Sequence, residues 1–228
     1  MVRLRLAGGM AAPDTPPRKE LVVFDFDGTL TTEDTFVLFM KRYCGTLAWY
    51  LKMLPLTPVF LRYKLGRIDR HAVKHAVVRA VFTGEPMARI ASEAEAFARR
   101  DIPKLIRPAG LSRFTERVEA MGTGGPDVVI CSASISPYLR SYVGLLSEHN
   151  TVFTKVKIVA CELEADAQKN ATGRLRGRNV WGENKLKALR EEFRSYSIHL
   201  VESYGDSAGD VAILDAADTA FWRPFRVR

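Results

Sequence analysis

Cysteine is scarce in this chain and does nothing visible by pattern. Its 228 residues hold three, Cys44, Cys131 and Cys161, odd in number and far apart. No disulfide framework and no metal-binding spacing follows, and the usage fits a reducing cytosol. Gly122-Thr-Gly-Gly125 lacks the Lys-Ser/Thr that a nucleotide-binding phosphate loop requires. His71 and His75 are four residues apart, but no glutamate lies between them in the zincin pattern and no third ligand is evident, so an ordinary amphipathic helix explains them. No nucleic-acid motif accompanies Arg174, Arg176 and Arg178, which read as a solvated hairpin. No nucleic-acid partner is expected. No export signal is readable either: Val2–Leu6 is too short for a signal core, Met10 is a possible start, and residues 1–18 read as a disordered tail ending in a proline-rich spacer. There is no internal repeat.

Acidic residues are also in short supply. Asp and Glu total 26 against 34 Lys and Arg, a formal net charge of +8. That balance favours anionic partners: nucleic acid, an acidic membrane surface or phosphorylated substrates.

A hydrophobic share of 47% is enough for a real core, and the length suits one good-sized domain or a core with an insert. Leu21–Phe24 reads as a buried strand, followed by helical patterns from about residue 31 to 121. Further strands are predicted at Asp127–Cys131, Val156–Leu163, Thr172–Arg176 and Leu200–Tyr204, and near Thr219–Trp222. Helix is predicted over Glu183–Ser195, with a short helix before the last strand. Strands alternating with helices predict an α/β fold, a mostly parallel sheet with helices on both faces and chemistry at the strands' carboxyl ends. Residues 19–32 and 122–228 form the expected core, and 33–121 an inserted helical cap.

The most informative stretch is Leu21-Val-Val-Phe-Asp-Phe-Asp-Gly-Thr-Leu30. A buried strand delivers Asp25 and Asp27 to a tight turn, with the hydroxyl of Thr29 two places on. Two crowded carboxylates repel, and a cation or a proton must compensate. Mg²⁺ is hard and oxygen-seeking, and it also brings phosphate oxygens to a site. One carboxylate can then attack phosphorus while its neighbour handles the leaving group's proton. Three more pieces fall at element boundaries. The hydroxyl of Ser132 and nearby N–H groups can receive phosphate oxygens, and Lys185 can supply a positive charge. In Gly205-Asp-Ser-Ala-Gly-Asp210, Asp206 can complete the Mg²⁺ site, while Asp210 can hold the loop or orient Lys185.

These motifs resemble the haloacid dehalogenase superfamily, in its phosphoserine-phosphatase-like branch with a helical cap after the first motif. The resemblance spans Leu21 to Phe225. It implies Asp25 as nucleophile, and Asp27 as general acid and then base. It implies Mg²⁺ on the side chains of Asp25 and Asp206 and the backbone carbonyl of Asp27. Ser132 and Lys185 would grip phosphate, with Asp210 in support. By spacing, Asp34 takes the place of an early cap glutamate of phosphoserine phosphatases and Gly209 that of an asparagine, and by a loose local match Arg79 stands for a cap arginine. Tyr204–Asp210 followed by Trp222-Arg-Pro-Phe225 looks more like a bacterial subset that includes phosphatidylglycerophosphatase C.

The expected substrate is therefore a phosphorylated small molecule or a lipid phosphate. From Tyr43 to Leu61 the only charge is Lys52, and the run includes Trp49, Tyr50 and Phe60 between basic flanks. Lys52, Pro55 and Pro58 argue against a straight spanning helix. Two readings stay open for 43–61: a segment lying on the inner face of an anionic membrane, or a hydrophobic hairpin packed within the cap. The rivals to a lipid phosphatase are a phosphatase of small soluble metabolites and a catalytically silent phospho-ligand binder.

Overall fold

The computed structural model describes residues 16–226. Most of the expected tail falls at 1–15, outside the described residues. Arg18, expected in that tail, instead opens the first strand, and the carbonyl of Pro17 accepts the N–H of Ser197 at 3.0 Å.

Strand β1 (Arg18–Phe24) is solvated where it starts and fully buried from Leu21 to Phe24. A continuous apolar run of this kind suits a central strand covered on both faces. After it the chain inserts α1 (Thr35–Cys44), α2 (Thr46–Met53), α3 (Thr57–Lys64), α4 (Arg70–Phe82), α5 (Met87–Arg100) and α6 (Ile102–Leu105). Then come α7 (Pro108–Gly122), β2 (Asp127–Ile135), α8 (Ser136–Ser147), β3 (Lys157–Ala165), β4 (Ala171–Arg176), α9 (Glu183–Glu192), β5 (Ser197–Gly205), α10 (Val211–Asp215) and β6 (Ala217–Trp222).

The sheet order is β4-β3-β2-β1-β5-β6, parallel except for the β3–β4 hairpin. The chain moves from β1 outward through β2 and β3, then returns to the other side of β1 with β5. The carboxyl end of β1 is thus a topological switch point, where open α/β sheets leave a crevice. Phe24 fixes this strand: its ring stacks on Tyr204 of β5 at 4.2 Å and meets Phe114 of α7 edge-on at 5.2 Å. Because of that contact the expected 33–121 cap ends on a helix, α7, that packs on the sheet.

Two sets of backbone bonds tie the inserted helices down. At the base, Thr31 bridges Ile106, the Thr32 N–H donates to Leu105 at 2.8 Å and the Arg107 N–H donates to Leu30 at 2.8 Å. At the far side the α4–α5 turn adds to the sheet's edge: the Gly84 N–H donates to Ala171 at 2.9 Å, and Pro86 bridges Asn170. Between them Phe39 of α1 packs on Phe97 of α5 and Tyr138 of α8, at 5.4 and 5.1 Å between ring centres.

Pro55 and Pro58 break the apolar run as their chemistry requires. Pro55 lies in a single tight turn, Leu54–Leu56, and Pro58 in the first turn of α3. The run is a helical hairpin whose residues divide: Trp49 is buried, Met53 and Phe60 are half-buried, and Leu47, Leu51, Leu54 and Leu61 face outward. No helix among the described residues is long and apolar enough to cross a membrane.

Candidate active site

The ladder of β1 continues one residue beyond the strand, the Asp25 N–H donating to the Tyr204 carbonyl at 2.9 Å. The chain then turns widely through Phe26–Leu30, with Gly28 at φ 79°. Glycine is required there twice over. Its backbone conformation is left-handed, and a Cβ would sit 2.5 Å from an oxygen of Asp206. The turn is held by Thr31, whose hydroxyl accepts the Gly28 N–H at 3.2 Å and lies 2.8 Å from the Glu33 carbonyl. Thr29, the hydroxyl expected to help, is buried and its oxygen makes no hydrogen bond.

Asp25 ends up buried with one oxygen 2.5 Å from Lys185 Nζ. The same ammonium donates to Asp210 at 2.6 Å and to the Cys131 carbonyl at 2.7 Å, so its three protons are all committed. Burial works against the Lys185 charge, but Asp25 and Asp210 outweigh it and hold its pKa above the usual range. For Asp25 burial wins over the attraction of Lys185: with Asp210 adding repulsion, its pKa rises from 3.8 to about 7. The second oxygen of Asp210 accepts the N–H groups of Asp206 and Ser207 and the Ser207 hydroxyl at 2.9–3.1 Å. Burial opposes its charge, yet Lys185 and these bonds keep its pKa low. Asp210 is thus bonded both to Lys185 and to the Asp206–Ser207 loop.

Asp27 is kept apart from this cluster. One of its oxygens accepts from the N–H and hydroxyl of Thr35, at 2.7 and 2.5 Å, and the other accepts from the Ser134 hydroxyl. Its pKa is raised, first by burial and next by the charge of Asp34, against the pull of those three bonds. Asp34 caps α1 by accepting the Val37 N–H at 3.2 Å and also lines the cavity.

That cavity, about 530 Å³, opens between the sheet edge and the inserted helices. Asp25, Asp27, Lys185, Asp206 and Asp210 line it on the sheet side. Phe36, Trp49, Met53, Phe60, Val73 and Val77 give it an apolar wall on the other. Of the strand-end serines, Ser134 and not Ser132 lines it; Ser132 is fully buried, its hydroxyl accepting the Ser134 N–H at 3.0 Å.

Arg79 is not brought to this cavity. The α4 residues that line it are Arg70, Val73, Lys74 and Val77, and Arg79 stands about 140° round the helix from Lys74 at 100° per residue. A loose local match cannot fix a helix face, and at the cavity a lysine five residues earlier stands where the arginine was expected. Lys74 donates to the Ala133 carbonyl and lies 4.2 Å from the ring centre of Phe36, with burial pushing its pKa down. Thr35, Ser134, Lys74, Trp181 and Arg226 are site residues that sequence reasoning missed. The i, i+2 repeat of Ser132 and Ser134 and the i, i+4 pair of Arg70 and Lys74 were usable signals. For Arg226, which reaches Asp206 at 2.6 Å from the far end of the chain, there was none.

A family model for haloacid dehalogenase-like hydrolases matches residues 22–215. The chain belongs to that family. Protein CicA of Caulobacter vibrioides is 32% identical to it over 210 residues, which are 90% of this chain and 86% of that protein. Among solved structures, a protein of unknown function from Bordetella pertussis Tohama I superposes with TM-score 0.63 at 17% identity, over 90% of this chain and 89% of the other. A probable phosphoserine phosphatase from Vibrio cholerae gives 0.57 at 17%, over 91% of this chain and 57% of its own. At these identities the likeness is one of fold.

Within that family fold, Asp25, Asp206 and Asp210 place carboxylate oxygens within 4.8 Å of one another. Asp210 has both oxygens engaged, whereas Asp25 and Asp206 each keep one outside any hydrogen bond described here. Hard, anionic oxygens in this number suit a hard divalent cation such as Mg²⁺. The closeness of Gly28 to Asp206 brings the backbone of the turn against the same point.

Proposed function

We propose that the chain hydrolyses phosphomonoesters through an aspartyl-phosphate on Asp25. One observation supports this above the rest: Asp25 has one oxygen pinned by Lys185 and the other free at the cavity, while Asp27 is held separately and kept protonatable. The free oxygen of Asp25 attacks phosphorus, and the ester oxygen leaves with the proton of Asp27. Asp27 then takes a proton from water, whose oxygen attacks the phosphorus of the acyl phosphate; inorganic phosphate departs and the Asp25 carboxylate is restored. Lys185 offsets the charge that would drive carboxylate and phosphate apart. Mg²⁺, which the side chains of Asp25 and Asp206 and the carbonyl of Asp27 would hold, would supply further positive charge to the phosphoryl oxygens. With its hydroxyl turned to Ser134, Ser132 shapes the strand end, and since Ser134 is itself committed to Asp27 and Ser132, phosphate is received by other backbone N–H groups at the cavity.

The substrate reading is an amphiphilic phosphate, phosphatidylglycerophosphate by resemblance, met at an anionic bilayer. The apolar wall of the cavity is made by Trp49, Met53 and Phe60, from the same hairpin whose other face exposes Leu47, Leu51, Leu54 and Leu61. No acidic residue occurs between Thr35 and Ile68, while Lys41, Arg42, Lys52, Arg62, Lys64 and Arg67 do. Half-inserting four leucines is worth on the order of 4 kcal/mol, and each basic residue at an anionic surface about 1 kcal/mol. Together these give reversible, salt-sensitive attachment.

Phosphate release from a panel including lipid phosphates in mixed micelles tests the chemistry: wild type with Mg²⁺ is active and Asp25→Asn is not. A wild type inert across the panel removes the enzyme reading in favour of a silent binder. Sedimentation with anionic vesicles tests the surface, and Leu51→Gln with Leu54→Gln should abolish it. Trp49 and Phe60 are unsuitable for that test because they pack inward. Wild type that stays in the supernatant and clears small phosphoesters is a soluble-metabolite phosphatase.

A further inference from the structure

Helix α4 has two working faces. Arg70, Val73, Lys74 and Val77 look into the active-site cavity; Ala72, His75, Ala76, Arg79 and Ala80 look into a second one, of about 780 Å³, on the opposite side. Leu56 and the β4 residues Thr172, Gly173 and Arg174 complete its wall.

The chemistry of this second cavity is lopsided. Among the described residues, no Asp or Glu lines it. Its nearest bonded acid is Glu164, which takes the Thr172 hydroxyl at 2.8 Å. Neither Arg79 nor Arg174 forms an ion pair among the described residues. Nε2 of His75 is buried without a hydrogen-bond partner. Burial, then His71 and Arg174, push the pKa of His75 down. A buried ring nitrogen left unpaired costs about 1–3 kcal/mol. Guanidinium groups match phosphoryl oxygens in pairs. Beside these polar groups, Leu56, Ala72, Ala76 and Ala80 form an apolar strip.

We propose that this cavity binds a small organic phosphate, its dianionic head between Arg79 and Arg174, beside the His75 ring, and its apolar body along the alanines of α4. The site is separate from the catalytic one and shares with it α4 and the α2–α3 hairpin, through Leu56. An occupant braces the helix that presents Arg70 and Lys74 to the active site, and so gives the molecule a means of sensing a phosphorylated metabolite without turning it over. Arg79, matched to a substrate arginine by resemblance, serves this second ligand.

Phenylphosphonate, which has the dianionic head and an apolar body but no ester bond, is the probe. Full-length protein labelled at histidine and tryptophan is titrated and followed by NMR. The ring signals of His75 should shift along a saturable curve, and the Trp181 indole, at the catalytic cavity, should follow its own curve. In Arg79→Ala/Arg174→Ala the His75 response should weaken at least tenfold while that of Trp181 is unchanged. Both arginines are exposed, so the fold should tolerate their loss; should the double variant fail to fold, Arg174→Gln serves for the same comparison. Sulfate should shift His75 at higher concentration than phenylphosphonate, since it lacks the apolar body. The proposal is overturned if His75 does not respond, responds equally without the arginines, or merely tracks Trp181.

Discussion

The indole of Trp181 fills the space that any side chain on Gly209 would occupy. A Cβ built on Gly209 would fall inside the van der Waals surface of the Trp181 ring nitrogen. Phosphoserine phosphatases are expected to carry an asparagine at the Gly209 position. Here the two choices are mutually exclusive, and the aromatic lines the cavity instead, with Arg70 over its ring at 5.4 Å. Gly209→Asn should therefore destabilise the protein by about 1–3 kcal/mol through overpacking. Trp181→Ala should recover much of that loss in the double variant, as neighbours in contact do. Urea denaturation of the four proteins measures it, and additive single effects would show that the two positions do not compete.

Lys185→Met should be the most damaging single change at the site. It leaves Asp25 and Asp210 buried with no cation between them, and removing one partner of a buried ion pair costs about 3–5 kcal/mol. Denaturant midpoints should drop accordingly and phosphate release should vanish. A loss under about 1 kcal/mol would mean that the buried carboxylates find other compensation.

Asp25→Asn should behave in the opposite sense when divalent cations are removed. Asp25 has a folded pKa of about 7 against an ordinary 3.8, so the folded state holds a proton that the unfolded state releases between those values. Its contribution to stability is full below pH 4 and is lost as pH rises towards 7. In EDTA at pH 8 the asparagine variant should melt roughly 5 °C above wild type, and the gap should shrink at pH 5. Calorimetric melts at the two pH values decide this; a variant less stable at both would contradict the assignment.

Two substitutions should move the pH–rate profile in opposite directions. Ser134→Ala removes a hydrogen bond that lowers the Asp27 pKa, and Asp34→Asn removes a charge that raises it while keeping the helix cap. The limb belonging to Asp27 should shift to higher pH in the first and to lower pH in the second. Coincident profiles would take Asp27 out of the proton transfer.

The core of the site was legible because its residues sit at element ends that hydrophobic patterning marks well. Asp25 follows a buried run, Asp206 ends another, and Lys185 enters a helix behind Gly182. The same reasoning passed over α8, whose serine, proline and tyrosines hide a short buried helix directly after β2. It also passed over everything set by the packing of one element on another: the helix face of Lys74, the turn of Ser134 towards Asp27, and the reach of Arg226. The hairpin at 43–61 offered two readings because composition counts apolar residues without saying which way each one points. Trp49 and Leu51 are two positions apart and lie on opposite sides of the question.

The inserted helices are fastened in two places, at Thr31–Ile106 and at Pro86–Asn170. Side chains add further ties, Thr35 to Asp27 and Lys74 to the Ala133 carbonyl. None of these anchors lies in the α2–α3 hairpin, so its greasy edge is the part of the insert that can tip without releasing the rest from the sheet.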